Sequence, residues 1–190
     1  MLIDTHGHVN LEDFDADRDQ VIDAIAEADM RVIVPGTDFA SSRLAVELAD
    51  KHGFLKAAIG LHPGSVEEEE FDARDYQELI NTGLVTAIGE CGLDYYRLPV
   101  EKVDIQRIKD LQQQVFIEHI LLAESNSLPL IIHGRNGKNQ AEAYQNILQL
   151  LLERKVQRAV VHCFGGTVEE AKSFIKAGYY LGITGIITFD

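Results

Sequence analysis

The stretch Asp4-Thr5-His6-Gly7-His8 sets two imidazoles one residue apart at the end of the first apolar run of the chain, Leu2–His6. Side chains alternate faces along a strand, so residues two apart point the same way. Two histidines on one face at a strand end form a natural metal clamp, and Asp4 has the parity to support them from behind. A loop can carry two unrelated histidines at this spacing, so the pair gains its meaning from the rest of the chain. Later apolar runs lead into Gly89-Glu90, Ile132-His133 and Val161-His162. Glutamate is rarely buried without a partner, and the carboxyl ends of parallel strands are where ligands bind. His6, His8, Glu90, His133 and His162, at the ends of four predicted strands, therefore point to a metal centre.

Working outward, the strand candidates are Leu2–His6, Arg31–Gly36, Lys56–Leu61, Val85–Glu90, Leu130–Gly134, Arg158–Cys163 and Tyr179–Thr184. Helix-period segments separate them. Val21, Ile22, Ile25 and Ala28 share one face, as do Leu44, Ala45, Leu48 and Ala49, and Tyr144, Ile147, Leu148 and Leu151. Thr167 and Glu170 read as a capping box ahead of Ala171, Phe174 and Ile175, with Gly178 placed to end that helix. Strict alternation of seven strands and six helices implies a parallel sheet, either open and doubly wound or closed as a (β/α)8 barrel. In an open sheet ordered 3-2-1-4-5-6, strands one and six lie about 14 Å apart at about 4.8 Å per strand. Ligands must approach a metal to about 2.0–2.2 Å. Side chains so far apart would not readily meet, whereas a closed sheet turns them over one mouth. The constellation favours the barrel, with its site at the C-terminal rim.

Composition is consistent with a soluble domain. Of 190 residues 46% are hydrophobic and 25% charged. No apolar run reaches the length of a membrane span and no signal peptide is evident. Two cysteines, Cys91 and Cys163, give no disulfide framework, and the expectation is a cytoplasmic protein. The net charge of −14 argues against broad adhesion to nucleic acid. It does not exclude nucleic acid as substrate, because divalent cations in a cleft supply local positive charge.

The segments Ile3-Asp4-Thr5-His6-Gly7-His8, Ile59-Gly60-Leu61-His62-Pro63, Ile88-Gly89-Glu90-Cys91-Gly92-Leu93-Asp94-Tyr95-Tyr96, Leu128-Pro129-Leu130-Ile131-Ile132-His133-Gly134-Arg135, Val161-His162-Cys163-Phe164 and Gly182-Ile183-Thr184-Gly185-Ile186 resemble the successive signatures of the TatD deoxyribonuclease family, within the amidohydrolase superfamily. The resemblance implies a TIM-type (β/α)8 barrel and one or two divalent metal ions. It implies that His6, His8 and Glu90 hold one metal, and that Glu90, His133 and His162 hold the second, with Glu90 bridging. It implies phosphodiester cleavage in DNA, commonly 3′ to 5′ on single strands. Gly64, Gly134, Asn136, Gly165 and Asp190 depart from common family residues, which bears on substrate contacts rather than on the five ligands. The family pattern continues through an eighth strand carrying an Asp that binds metal and acts as general base. Asp190 falls one strand too early for that role. The expectation is one incomplete domain over residues 1–190, lacking strand eight and the last helices.

Zinc, magnesium and manganese all suit a His/carboxylate site, zinc best matching the imidazoles. A metal-activated water would attack phosphorus, with charge stabilised by the metals and a cation. Glu90, Arg135 and His62 are the catalytic candidates. Arg135 reads equally as a phosphate contact or a rim salt bridge. His62 reads as a substrate contact, a group orienting a ligand, or a structural histidine. Tyr95 and Tyr96 can stack on bases, although loop packing suits at least one of them. Asp94 is placed to hold that loop or to hydrogen-bond a ligand. Cys91 and Cys163 read as small buried residues, and His52 and His119 as surface residues of helices. Single-stranded DNA is the expected substrate, with no obligate protein partner and a possible dimer through the open barrel edge. The competing readings are an amidohydrolase acting on a non-nucleotide ester or amide, and an inactive truncated remnant.

Overall fold

The computed structural model describes residues 1–98, 102–138 and 142–188. Asp190, compared above with the family's last ligand, lies outside them. The seven strands are β1 (Leu2–Asp4), β2 (Met30–Pro35), β3 (Leu55–Ile59), β4 (Val85–Asp94), β5 (Leu130–Arg135), β6 (Ala159–Val161) and β7 (Tyr180–Leu181). Between successive strands lie α1 (Arg18–Glu27), α2 (Phe39–Lys51), α3 (Ala73–Ile80), α4 (Lys102–Ser125), α5 (Ala143–Glu153) and α6 (Val168–Lys176). All neighbouring strands pair in parallel, in the order β1-β2-β3-β4-β5-β6-β7. This is the alternation read from the sequence, in the chain-order arrangement of a TIM-type barrel rather than a doubly wound sheet.

The sheet curls strongly. β1 and β6 are five strand spacings apart, about 24 Å in a flat sheet. Yet the rings of His6 and His162, just beyond those strands, stack with centroids 3.7 Å apart. Two sets of apolar residues line the two faces. Val32, Val34, Ala57, Ile59, Ile88, Leu130, Ile132 and Val161 join the main core beneath the helices. Ala58, Ala87 and Ile131, with Ile33 and Val160 against them, form a small separate cluster on the concave face. Alanines at that face let the strands close tightly. Along β1 and β7 the sheet has no further strand among the described residues, and Leu2, Ile3 and Tyr180 are exposed there.

Local sequence explains several helix ends. Asp38 and Ser41 form a capping box on α2, and Thr167 and Glu170 form the expected one on α6. Gly178 follows α6 at φ +90°. Phe174 is buried as the helical pattern requires, whereas Ile175 faces outward.

His119 corrects the reading from the sequence. It is fully buried in α4, against Phe71 and Tyr76, not on a helix surface. Its Nδ1 bonds the Val115 carbonyl at 2.7 Å and its Nε2 accepts the Leu61 N–H at 2.9 Å. The ring is therefore a neutral tautomer that fixes the chain beside His62. Burial lowers its pKa to about 4. Between the ordinary value near 6.5 and about 4, the unfolded chain binds a proton that the folded chain does not, so stability falls as pH drops through that window. His119→Gln keeps an acceptor and removes the titration. Urea unfolding at about pH 7.5 and about pH 4.5 is expected to show the wild type losing some 2–3 kcal/mol relative to the variant; parallel profiles would contradict a neutral buried imidazole.

Candidate metal centre

Glu90 lies at the focus of the concave face and is only 4% exposed. It sits in the middle of β4, not at its end, because the strand continues to Asp94. Regular alternation from Ala87 would aim Glu90 at the helices. The register against β5 shifts between Ile88–Leu130 and Cys91–Ile132, so Gly89 and Glu90 together oppose Ile131. That bulge returns Cys91 to the core and turns Glu90 inward. Gly89 is required there: a Cβ would lie 2.4 Å from the Ile131 carbonyl oxygen.

The other imidazoles reach Glu90 from separate elements. His133 lies in β5, two residues on from concave Ile131, while His162 follows β6, two residues on from Val160. His6 and His8 lie on the loop after β1, which ends at Asp4. That loop is pinned by Asn10 to the Pro35 and Ser41 carbonyls and by Arg18 to those of Val9 and Leu11. Asp4 accepts the His6 backbone N–H, so it shapes the turn rather than supporting either ring.

The two Glu90 oxygens face different partners. Oε2 is 3.2 Å from Nε2 of both His6 and His8, and those two nitrogens are 2.9 Å apart. Oε1 is 3.0 Å from His133 Nδ1, 2.7 Å from His162 Nε2 and 3.7 Å from His62 Nε2. Tetrahedral ligands about 2.0–2.2 Å from a shared cation lie about 3.3–3.6 Å from each other; most of these atoms stand closer, in hydrogen-bond contact, and would draw slightly apart to admit a divalent cation, for which the nitrogen and carboxylate donor set is suited. Donor atoms of His6, His8 and Glu90, and of His62, Glu90 and His133, form two groups close enough to hold one. All five residues read from the sequence as ligands converge, and His62 joins them.

Electrostatics follow from this packing. Burial would raise the Glu90 pKa, but hydrogen bonds from His133, His162, His6 and His8 outweigh it and hold the carboxyl well below its usual range. Burial would lower that of His133, but Asp94 and Glu90 on its two nitrogens raise it to about 9. Burial and the neighbouring His133 lower that of His62 to about 4.

Asp94 does both things considered for it. Its Oδ2 is 3.2 Å from His133 Nε2, and its Oδ1 accepts the backbone N–H groups of Tyr96 and Arg97. Gln112 of α4, which no motif or periodicity marks, holds this corner by accepting from Asp94 N and donating to the Asp94 and Pro63 carbonyls. Tyr95 is buried, with its hydroxyl accepting from Gln113 and Asn146. Tyr96 is exposed, with the Arg135 guanidinium 3.9 Å from its ring centroid and the Lys138 ammonium 5.2 Å away. Arg135 makes no carboxylate ion pair among the described residues. Cys91 is buried as read, but Cys163 is partly exposed in a left-handed turn (φ +46°), with its Sγ 3.0 Å from Thr184 Oγ1. His52 caps α2 and is partly exposed. A cleft of about 460 Å³ opens over Glu90, His62, His133 and His162 and reaches Tyr96 and Arg135.

A curled parallel sheet carrying a buried carboxylate and several imidazoles at its C-terminal mouth is the architecture of a metal-dependent hydrolase of the TIM-barrel class. The chain belongs to the TatD-related DNase family, whose sequence model matches residues 3–190. It is 36% identical to the uncharacterized metal-dependent hydrolase YabD of Bacillus subtilis, covering all of this chain and 71% of that protein. It is 34% identical to the 3′-5′ ssDNA/RNA exonuclease TatD of Erwinia tasmaniensis, over 92% of this chain and 64% of that protein. The crystal structure of YjjV, a TatD homologue from Escherichia coli, matches with a TM-score of 0.83 at 30% identity over 99% of this chain and 70% of that one. No helix among the described residues is long and apolar enough to cross a membrane.

Asp94 holds the second nitrogen of a candidate ligand, a contact whose loss commonly weakens metal affinity about 10–100-fold. Calorimetric zinc titration of Asp94→Asn is expected to show a loss of that size in one binding event. Unchanged affinity would confine Asp94 to the loop.

Proposed function

We propose that this chain cleaves phosphodiester bonds in single-stranded DNA from the 3′ end. In this reading His6, His8 and Glu90 hold one divalent cation, and Glu90, His133 and His162 the other. The observation that carries it is the pair of Glu90 oxygens, each turned to its own set of imidazoles beneath an open cleft. Bound there, divalent cations neutralise phosphate charge and lower the pKa of a water molecule.

The chain's own residues supply the rest. Glu90 is held in its carboxylate form, the form a cation binds, by the imidazoles packed against it. Asp94 holds the ring of His133 so that one nitrogen remains aimed at Glu90. Arg135, resting on the Tyr96 face without a carboxylate partner among the described residues, can swing a planar guanidinium onto a phosphate. Tyr96 is exposed at the cleft and offers an aromatic surface to a base. The name of the Erwinia relative, a single-strand exonuclease, points the same way.

The test is an assay of 5′-labelled single-stranded DNA, matched RNA and a panel of small esters with Mg²⁺, Mn²⁺ or Zn²⁺. Stepwise shortening of DNA from the 3′ end is expected, and turnover of esters with DNA left intact would overturn the proposal. Arg135→Ala is expected to raise KM for DNA about tenfold or more, the size of a charge-assisted hydrogen bond.

A further inference from the structure

His62 lies within reach of Glu90 and His133 and has the donor type of a cation ligand. Its other nitrogen contradicts that role. Nδ1 accepts the backbone N–H of Gly64 at 3.0 Å. A nitrogen that accepts a hydrogen bond carries no proton, so a neutral ring keeps its proton on Nε2. Nε2 is the atom turned toward the cleft. Ligation through Nε2 would move the proton to Nδ1 and set it head-on against the Gly64 N–H.

The surrounding backbone enforces this choice. His62 N donates to the Thr37 carbonyl at 2.8 Å, Leu61 N donates to buried His119, and Ser65 N donates to the His62 carbonyl. Gln112 grips the Pro63 carbonyl. The turn Pro63–Ser65 therefore presents the Gly64 N–H to the ring in a fixed direction. Gly64 also leaves the necessary space, since a Cβ there would stand 3.0 Å from Nδ1. Among the described residues nothing takes the Nε2 hydrogen: Glu90 Oε1, at 3.7 Å, is beyond hydrogen-bond distance. His62 lines the cleft above Glu90 and also a smaller one, about 240 Å³, that passes Arg97.

We propose that His62 is a neutral Nε2–H donor to a substrate oxygen, not a cation ligand, and that the Gly64 N–H sets its tautomer. Resting on the phosphodiester reading, the acceptor is a non-bridging phosphoryl oxygen, on which negative charge grows as the attacking water oxygen bonds to phosphorus, before the bond to the leaving oxygen breaks and that oxygen takes its electron pair. A neutral donor serves that oxygen without repelling cations held by Glu90.

Two measurements on the full chain test this independently of turnover. Long-range ¹H–¹⁵N spectra of histidine-labelled protein report the tautomer of each ring. His62 is expected to show a protonated Nε2 before and after Zn²⁺ addition, while rings that bind zinc shift; loss of the Nε2 proton on adding Zn²⁺ would overturn the proposal. Calorimetric titration should give His62→Leu and His62→Gln the stoichiometry and affinity of wild type within about twofold, and a tenfold loss in both would make His62 a ligand.

Turnover supplies the second arm. Removing one transition-state donor commonly costs about 10²–10³ in kcat. His62→Leu is expected to lose that much kcat with little change in KM, and His62→Gln, which keeps an N–H, to recover at least tenfold. Equal loss in both variants would overturn the donor role. If wild type leaves DNA intact, the phosphodiester reading fails by itself, while the tautomer and cation titrations still decide the assignment of His62.

Discussion

A carboxylate buried without partners is costly, and Glu90 is placed where that cost would be highest, in the middle of a central strand and almost without exposure. It is tolerated because each of its oxygens meets imidazole nitrogens. The rest of the architecture answers to that arrangement. Residues just beyond β1 and β6 can reach one carboxylate on β4 only if the sheet curls, and the concave face can curl tightly because it is filled by residues as small as Ala58 and Ala87. The bulge at Gly89 sacrifices regular alternation so that Glu90 turns inward while Ile88 and Cys91 both remain in the helix-side core.

The rim is held from the helix side. α4 buries two polar residues, Gln112 and His119, among Val115, Phe116 and Ile120. Polar side chains in such a place must be paired, and both are, to backbone groups around His62 and Asp94 rather than to each other. One helix thus fixes the ends of β3 and β4 together. Nothing in the packing of α4 alone calls for a histidine there. The backbone it anchors does, because Leu61 N would otherwise be a buried donor without a partner.

The five ligand candidates were legible because each follows an apolar β run, a pattern that survives errors in strand length. The strand ends themselves were not. β1 and β6 stop before their histidines, and β4 runs past Glu90 because Cys91, Gly92, Leu93 and Asp94 all pair with β5. The bulge left no mark beyond a glycine, since hydrophobic alternation can report only regular pairing. His119 was misread because a long helix with polar residues on several faces shows no clean apolar stripe. Cys163 escaped because a left-handed turn breaks the parity on which its burial was inferred. The sequence neighbours of His62 allow three roles, and the direction of the Gly64 N–H is what bears on the choice among them.

The overall charge and the local charge of the mouth act in opposite senses. A net −14 repels polyanions at long range, but at physiological salt that field decays over about 8 Å. What an approaching phosphate meets at contact is Arg135 and Lys138 around Tyr96, and Arg97 on the adjoining cleft wall. These groups lie beside the candidate cation ligands and not along an extended stripe. A duplex laid across the surface would meet the repulsive field over most of its length, whereas a single flexible end can place one phosphate in the mouth and keep the rest in solvent. If the substrate is the single strand proposed above, electrostatics favour its end over its middle, because only an end can bring one phosphate to the cleft over buried Glu90 without laying the rest along the acidic surface.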